Sequence, residues 1–182
     1  MAGRTGLTAV EVWFQDEARV GQQGSLSYVW APIGSRPPMV RDTRRDSVYL
    51  FGAICPERAV GAAVILPAVS IEGMNLHLEE ISSQVAPGAV AAVICDGAGW
   101  HATGRELTVP DNIVLVTLPP YSPELNPAEN LWHYMRSHYL ANRAYRDYDH
   151  LLDAGTQAYR SLTNEVVKSV CRCDYINAGR AE

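Results

Sequence analysis

The stretch LPPYSPELNPAENLW, residues 118–132, carries the strongest structural signal in this sequence. Within it, Asn126 is predicted to cap a helix whose first residue is Pro127, because an asparagine cap followed by a proline is typical of helix N-termini. Glu129 then lies in the first turn, where a negative charge interacts favourably with the helix dipole. The sequence thus predicts a helix over 127–140 that presents a carboxylate at its start.

Two further acidic residues follow apolar, β-branched runs earlier in the chain. Asp16 follows VEVWFQ and Asp96 follows VAAVIC, so each is predicted to lie at the end of a strand. Carboxylates at strand ends and helix starts are common in the sites of α/β proteins. Because carboxylate oxygens are the ligands that Mg²⁺ prefers, the pattern predicts a metal-dependent enzyme of phosphodiester chemistry.

Each of these acidic residues also has a purely structural interpretation. Glu129 would support the helix N-terminus as a capping residue. Asp96 precedes Gly97, and Asp-Gly is a frequent turn pair. Asp16 would be a solvated residue at a strand end. Its neighbour Glu17 is an alternative ligand, but adjacent side chains of a strand point in opposite directions, so only one of the two is expected to face a site.

Hydrophobic periodicity predicts a mixed sheet covered by helices. Antiparallel strands come first and parallel β-α units follow, an order typical of an α/β fold. The predicted strands are 9–15, 26–31, 47–55, 59–66, 89–95 and 112–118, and the predicted helices are 71–85, 127–140, 149–162 and 164–173.

Length and cysteine content restrict the class of protein. The 182 residues, 47% of them apolar, fit a single domain over 1–182. No apolar run approaches the length of a membrane span, and no secretory signal is visible, so a cytoplasmic location is expected. Cys55 and Cys95 are predicted to be buried thiols. Cys171 and Cys173 form a C-x-C pair without the partners of a zinc site, which favours structural thiols.

The charge distribution is mixed. A net charge of −5 and a pI near 5.5 argue against a stand-alone DNA-binding module, which usually carries a basic surface. Arginines are nevertheless clustered at 36, 41, 44 and 45 and again at 136, 143 and 146. Guanidinium groups pair bidentately with phosphate, so Arg36 and Arg41 are the predicted phosphate contacts.

Three blocks of sequence together resemble one known family. They are QDEARVGQQGSLSYVWAPIGSRP (15–37), ICDGAGWH (94–101) and LPPYSPELNPAENLWHYMRS (118–137). The combination is similar to the catalytic domain of bacterial insertion-sequence transposases related to the Tc/mariner superfamily, the DDE endonucleases. The resemblance extends from about Val10 to Leu152. It implies a ribonuclease-H-like fold, with a mixed five-stranded sheet of three antiparallel strands and then parallel strands, flanked by helices.

The resemblance also implies a catalytic site. Asp16, Asp96 and Glu129 match the Asp-Asp-Glu triad, and 32 residues (97–128) separate the second from the third. Such a triad implies two Mg²⁺ or Mn²⁺ ions, bridged by Asp16, that support hydrolysis and strand transfer at transposon ends. The implied partner is DNA, with Arg36, Arg41 and His101 as its predicted contacts. A homodimer is the implied oligomeric state.

Two departures from the family pattern leave other functions open. Gly97 stands where the family commonly has Asn after the second aspartate. N-terminal helix-turn-helix domains, which the family normally carries, are expected to be absent here. Either a separate DNA-binding transposase subunit supplies them, or the chain is a truncated remnant. The alternatives to an active transposase domain are an inactive remnant or interaction module, and another ribonuclease-H-like nuclease.

Overall fold

The computed structural model describes residues 9–24, 26–40, 42–97, 106–120 and 122–173. A mixed sheet of five strands forms its centre, in the order β3-β2-β1-β4-β5. The strands β1, β2 and β3 form an antiparallel meander, whereas β4 and β5 run parallel to β1. Their bounds are Ala9–Gly21 (β1), Ser47–Cys55 (β2), Val60–Leu66 (β3), Ala89–Cys95 (β4) and Ile113–Thr117 (β5).

Helices cover the two faces of the sheet. The helix α1 (Ile71–Gln84) packs with Trp13 and Phe51 on one face. The other face carries α2 (Ala128–Met135), which continues into a π-helical turn at Arg136–Leu140, together with α3 (Tyr148–Arg160) and α4 (Asn164–Val170). Alternate residues of β1 point to opposite faces, so the two cores share this strand. The predicted mixed sheet with flanking helices is confirmed.

Local capping signals explain where the helices begin. Ser70 accepts a hydrogen bond from the Gly73 amide, and Asp147 accepts one from the His150 amide, as expected for N-cap side chains. The predicted helices 71–85, 149–162 and 164–173 agree with the structure to within three residues at each end. The predicted helix 127–140 covers both α2 and the π-helical turn.

The predicted strand 26–31 is wrong. Residues 26–31 are exposed and form no strand, because β1 itself is the first strand of the meander and pairs with β2 up to Gly21↔Ser47. Residues 22–46 therefore form one long connection. Tyr28 and Trp30 in this connection are fully exposed. Their residue types favour strands, but no neighbouring strand of the described residues pairs with them.

The first strand is also longer than predicted. The alternating run was expected to end at Gln15, but β1 continues to Gly21 because residues 14–21 pair with β2. Asp16 consequently lies within the strand and not at its end, directly opposite Gly52 of β2.

The four cysteines Cys55, Cys95, Cys171 and Cys173 are buried and form no disulfide, and burial of the first two was predicted. Burial, reinforced by the nearby Asp96 charge, raises the pKa of Cys95 to about 12, so this thiol stays protonated near neutral pH. None of the helices in the described ranges is long and apolar enough to cross a membrane.

Candidate active site

A cleft of about 480 Å³ opens at one end of the sheet, beside the proline-rich loop. Three acidic residues from distant parts of the chain line it: Asp16, Asp96 and Glu129. The remaining lining residues are Gly97, Thr117, Leu118, Pro119, Pro120, Ser122, Pro123 and Asn126. The cleft therefore combines the end of β4, the end of β5, the middle of β1 and the start of α2.

Strand register brings the two aspartates to the same end of neighbouring strands. The parallel pairing of β1 with β4 ends at Phe14↔Ile94, and Asp16 and Asp96 each follow two residues later. Neighbouring strands lie roughly 4.8 Å apart, and residues two positions on point to the same face as the paired residues. The two strands are adjacent, even though Asp16 is not at the end of its own strand.

The start of α2 differs by one residue from the prediction. Pro127 occupies the N-cap position and Ala128 is the first helical residue. Asn126 still performs a capping function, because its side-chain Oδ1 accepts a hydrogen bond of 3.1 Å from the Ala128 amide. Glu129 lies in the first turn and is exposed to the cleft, as predicted.

Two hydrogen bonds tie this helix to β1 beside Asp16. The Asn126 Nδ2 group donates to the Gln15 carbonyl oxygen at 2.9 Å, and the Trp132 Nε1 group donates to Asp16 Oδ2 at 2.9 Å. Trp132 also packs α2 onto the sheet, with 1% of its surface exposed. Its polar contact was missed, because nothing local in the sequence relates residues 116 positions apart.

Glycine 52 makes room for the Trp132 ring. A Cβ placed on Gly52 would overlap the six-membered ring of Trp132 at Cη2. Gly52 lies opposite Asp16 in the antiparallel ladder, so the indole spans from the Asp16 carboxylate to the β2 backbone. Any side chain at position 52 would compete with this ring for the same space.

Asp16 is the electrostatically strained member of the acidic group. Burial, followed by repulsion from the Glu129 carboxylate, raises its pKa from 3.8 to about 7, although hydrogen bonds from the Glu17 amide and Trp132 act in the opposite direction. Asp16 and Glu129 line the same cleft, so each ionised carboxylate disfavours the ionisation of the other. In the metal-free protein, holding Asp16 ionised is therefore unfavourable.

The raised pKa predicts a stability that depends on pH. Between about 4 and 7 the folded protein binds more protons than the unfolded chain, so the free energy of unfolding falls as the pH rises through this range. The Asp16→Asn variant is expected to be more stable than the parent at pH 8 by about 1–3 kcal/mol, with the difference disappearing near pH 4. Urea unfolding in EDTA at both pH values measures this. A difference independent of pH would contradict it.

The remaining predicted residues do not meet in the cleft. Glu17 accepts a hydrogen bond from Gln15 Nε2 at 2.8 Å, on the face of β1 opposite to Asp16, which agrees with the alternation expected. Arg36 is exposed on the 22–46 connection and does not line the cleft. Arg41 and His101 lie outside the described residues. Arg44 is engaged with Asp42 and with the Tyr145 and Arg146 carbonyl oxygens.

Within the part of the chain that the structure describes, no three His, Cys, Asp or Glu side chains are close enough together to hold a metal ion as they stand. The three carboxylates nevertheless share one cleft. Carboxylates that repel one another in the absence of a cation are expected to spread apart, so a metal-bound arrangement requires their side chains to converge.

Comparison with known proteins gives the chain a family and a fold. The family described as DDE superfamily endonuclease matches residues 11–152. An uncharacterized protein of Sinorhizobium fredii, y4pE/y4sA, is 48% identical over 117 residues, which are 64% of this chain and 86% of the relative. That relative carries no stated activity.

Solved structures of Mos1 transposase share the fold. A Mos1 mariner paired-end complex with Mn superimposes with a TM-score of 0.65 at 16% identity, over 88% of this chain and 51% of that chain. The catalytic domain of Mos1 mariner transposase matches with a TM-score of 0.59 at 16% identity, over 88% of this chain and 75% of that chain. This chain thus spans about half the length of the longer Mos1 chains, and the predicted ribonuclease-H-like fold is confirmed.

Proposed function

Because this chain belongs to the DDE superfamily endonuclease family, as its three sequence blocks predicted, we propose that it is a transposase-type catalytic domain that cuts and joins DNA. Asp16, Asp96 and Glu129 form its catalytic triad. The observation that carries this proposal is their convergence on one cleft from β1, from the end of β4 and from the first turn of α2.

The donor set fits a hard divalent cation. Carboxylate oxygens are the preferred protein ligands of Mg²⁺, and the repulsion that raises the Asp16 pKa is relieved when a cation lies between the carboxylates. We propose that Asp16, Asp96 and Glu129 hold Mg²⁺ or Mn²⁺, with two ions in the complete site. When bound, such ions supply a nucleophile at neutral pH and stabilise the leaving oxygen of a phosphodiester.

The protein's own contribution is to position the carboxylates. Asp16 is held on a central strand, and Glu129 is held by a helix docked onto that strand through Asn126. Asp96 is exposed at the end of β4, where it can reach a phosphate entering from solvent. Without a cation, three carboxylates in one cleft repel a DNA phosphate, so DNA and metal are expected to bind cooperatively.

DNA is the proposed partner, and it is expected to contact residues outside the cleft as well. Arg36 and Arg41 are the proposed phosphate contacts, and His101 is the third proposed DNA contact. A chain with a net charge of −5 is expected to need these local cations, the metal and a homodimer partner or a separate DNA-binding subunit to hold its substrate.

The proposal is tested with supercoiled plasmid DNA as substrate. We expect nicking in the presence of Mg²⁺ or Mn²⁺ and none in EDTA, because the triad requires a divalent cation. The measurement is the conversion of supercoiled to open-circular plasmid on a gel. Plasmid nicking at equal rates in EDTA and Mg²⁺ would contradict a metal-dependent site.

An inactive remnant is the second candidate, and Gly97 favours it. A Cβ placed on Gly97 would meet only Thr117 Cγ2 at 3.8 Å, an ordinary contact, so the position accepts a side chain. The Gly97→Asn variant restores the amide that the family commonly has there. Mn²⁺ binding by the parent without nicking, followed by nicking in the Asn variant, would identify the parent as a folded but inactivated member.

A further inference from the structure

Trp132 makes a contact that core packing alone does not require. Its indole is 99% buried, yet its Nε1–H points at Asp16 Oδ2 from a distance of 2.9 Å. A buried indole N–H needs an acceptor, but here the acceptor is a carboxylate that also lines the cleft. The indole donates to Oδ2 of Asp16 and not to Oδ1.

Residues on β1 and β2 fix the position of the helix and indole that make this hydrogen bond. Gly52 lies beneath the indole, in the position opposite Asp16, and a Cβ at this position would overlap the ring. Asn126 fixes the other end of the same helix by donating to the carbonyl oxygen of Gln15, the residue before Asp16. The helix that carries Glu129 is thus attached to β1 at two points on either side of Glu129.

We propose that Trp132 is a positioning residue that holds the Asp16 carboxylate in the orientation in which it shares a divalent cation with Glu129. This inference rests on the proposed function, since it concerns the same carboxylates. An outer hydrogen-bond donor of this kind fixes the rotation of a ligating carboxylate and makes it a better ligand, because the group does not have to be ordered when the metal binds.

The chain offers a matched control for this role. Trp13 is also fully buried on β1, and its Nε1–H also donates to a carboxylate at 2.9 Å, that of Glu11. Glu11 and Trp13 lie away from the cleft lining. The variants Trp132→Phe and Trp13→Phe therefore remove the same donor from similarly buried rings, and they differ in which carboxylate loses an indole hydrogen bond.

The test is calorimetric titration of the folded protein and its variants with Mn²⁺ alone. We expect Trp132→Phe to weaken Mn²⁺ binding by about 10–100-fold, the range for losing an outer-shell partner. Trp13→Phe is expected to stay within about twofold of the parent, although thermal unfolding in EDTA should show both variants destabilised. Unchanged binding by Trp132→Phe, or equal weakening by both variants, would overturn the positioning role.

A second pair of variants tests the same role with the indole donor retained. Gly52→Ala is expected to displace the ring and weaken Mn²⁺ binding, whereas Gly21→Ala, which meets only contacts of 3.6 Å or more, is expected to bind as the parent does. Normal Mn²⁺ binding by Gly52→Ala would show that metal binding does not depend on the position of the indole. Absence of Mn²⁺ binding by the parent would contradict the proposed metal site itself. Normal binding by the Trp132 and Gly52 variants would contradict only the positioning role of Trp132.

Discussion

The Asp96→Asn variant is expected to lose metal-dependent DNA cleavage almost completely while keeping its fold. Removing an outer-shell partner of a metal ligand typically lowers activity by about 10–100-fold, so loss of a ligand carboxylate should exceed about 100-fold. Asp96 is exposed at the end of β4, and the amide has nearly the same shape. The free energy of unfolding should therefore change by less than about 0.5 kcal/mol. Plasmid nicking and urea unfolding measure the two quantities.

The matched control is Asp111→Asn. Asp111 is an exposed aspartate just before β5, at the other end of the sheet from the cleft. Its variant undergoes the same loss of charge and is expected to cleave at the parent rate. Equal rates for parent and Asp96→Asn would show that cleavage takes place elsewhere. Equal losses in both variants would point to a general effect of charge and not to a catalytic carboxylate.

Local signals in the sequence predicted much of this fold. Continuous apolar runs located β2 and β4 at their observed bounds, and the Asn-Pro-x-Glu pattern located the start of α2 to within one residue. These features depend on neighbours within a few positions, which a sequence displays directly. The resemblance then supplied the grouping of Asp16, Asp96 and Glu129, which no local pattern contains.

Long-range pairing accounts for what the sequence did not predict. The length of β1 depends on its ladder with β2, so Asp16 was expected at a strand end but lies opposite Gly52. The apolar segment 26–31 has strand-forming residues but no neighbouring strand. The contact of Trp132 with Asp16 joins residues 116 positions apart. Strand length, strand pairing and long-range contacts depend on which elements pack together, and local propensities do not determine this packing.

Glu11 is a buried polar residue whose structural role was not predicted from the sequence. It lies in the alternating run of β1 with only 5% of its surface exposed. Its carboxylate accepts hydrogen bonds from Arg58 Nη1 at 2.9 Å, from Trp13 Nε1 at 2.9 Å and from the Ala86 amide at 3.1 Å. Burial alone would raise its pKa, but these donors together hold the pKa below its usual 4.5. One carboxylate thus joins β1 to the β2–β3 turn and to the residues after α1.

Replacing Glu11 by Ala is expected to destabilise the protein by about 3 kcal/mol, since a buried pair that loses one partner leaves the remaining donors unsatisfied. For a chain of this size the midpoint of thermal unfolding should fall by about 6–12 °C. Because the folded pKa is lowered, the contribution of Glu11 is present above pH 4.5 and is lost as the pH falls through the folded value. Calorimetry at pH 7 and at pH 3 measures both effects.

The control for Glu11 is Glu79→Ala, an exposed glutamate on α1 whose removal should change stability by less than about 0.5 kcal/mol. A Glu11 variant as stable as the Glu79 variant would mean that Arg58, Trp13 and the Ala86 amide find water or other acceptors without loss. Because Arg58 is partly exposed, with 35% of its side-chain surface accessible, the unsatisfied groups that matter most are the buried indole and the amide. The double variant Glu11→Ala with Trp13→Phe should therefore be less destabilised than the sum of the two single changes.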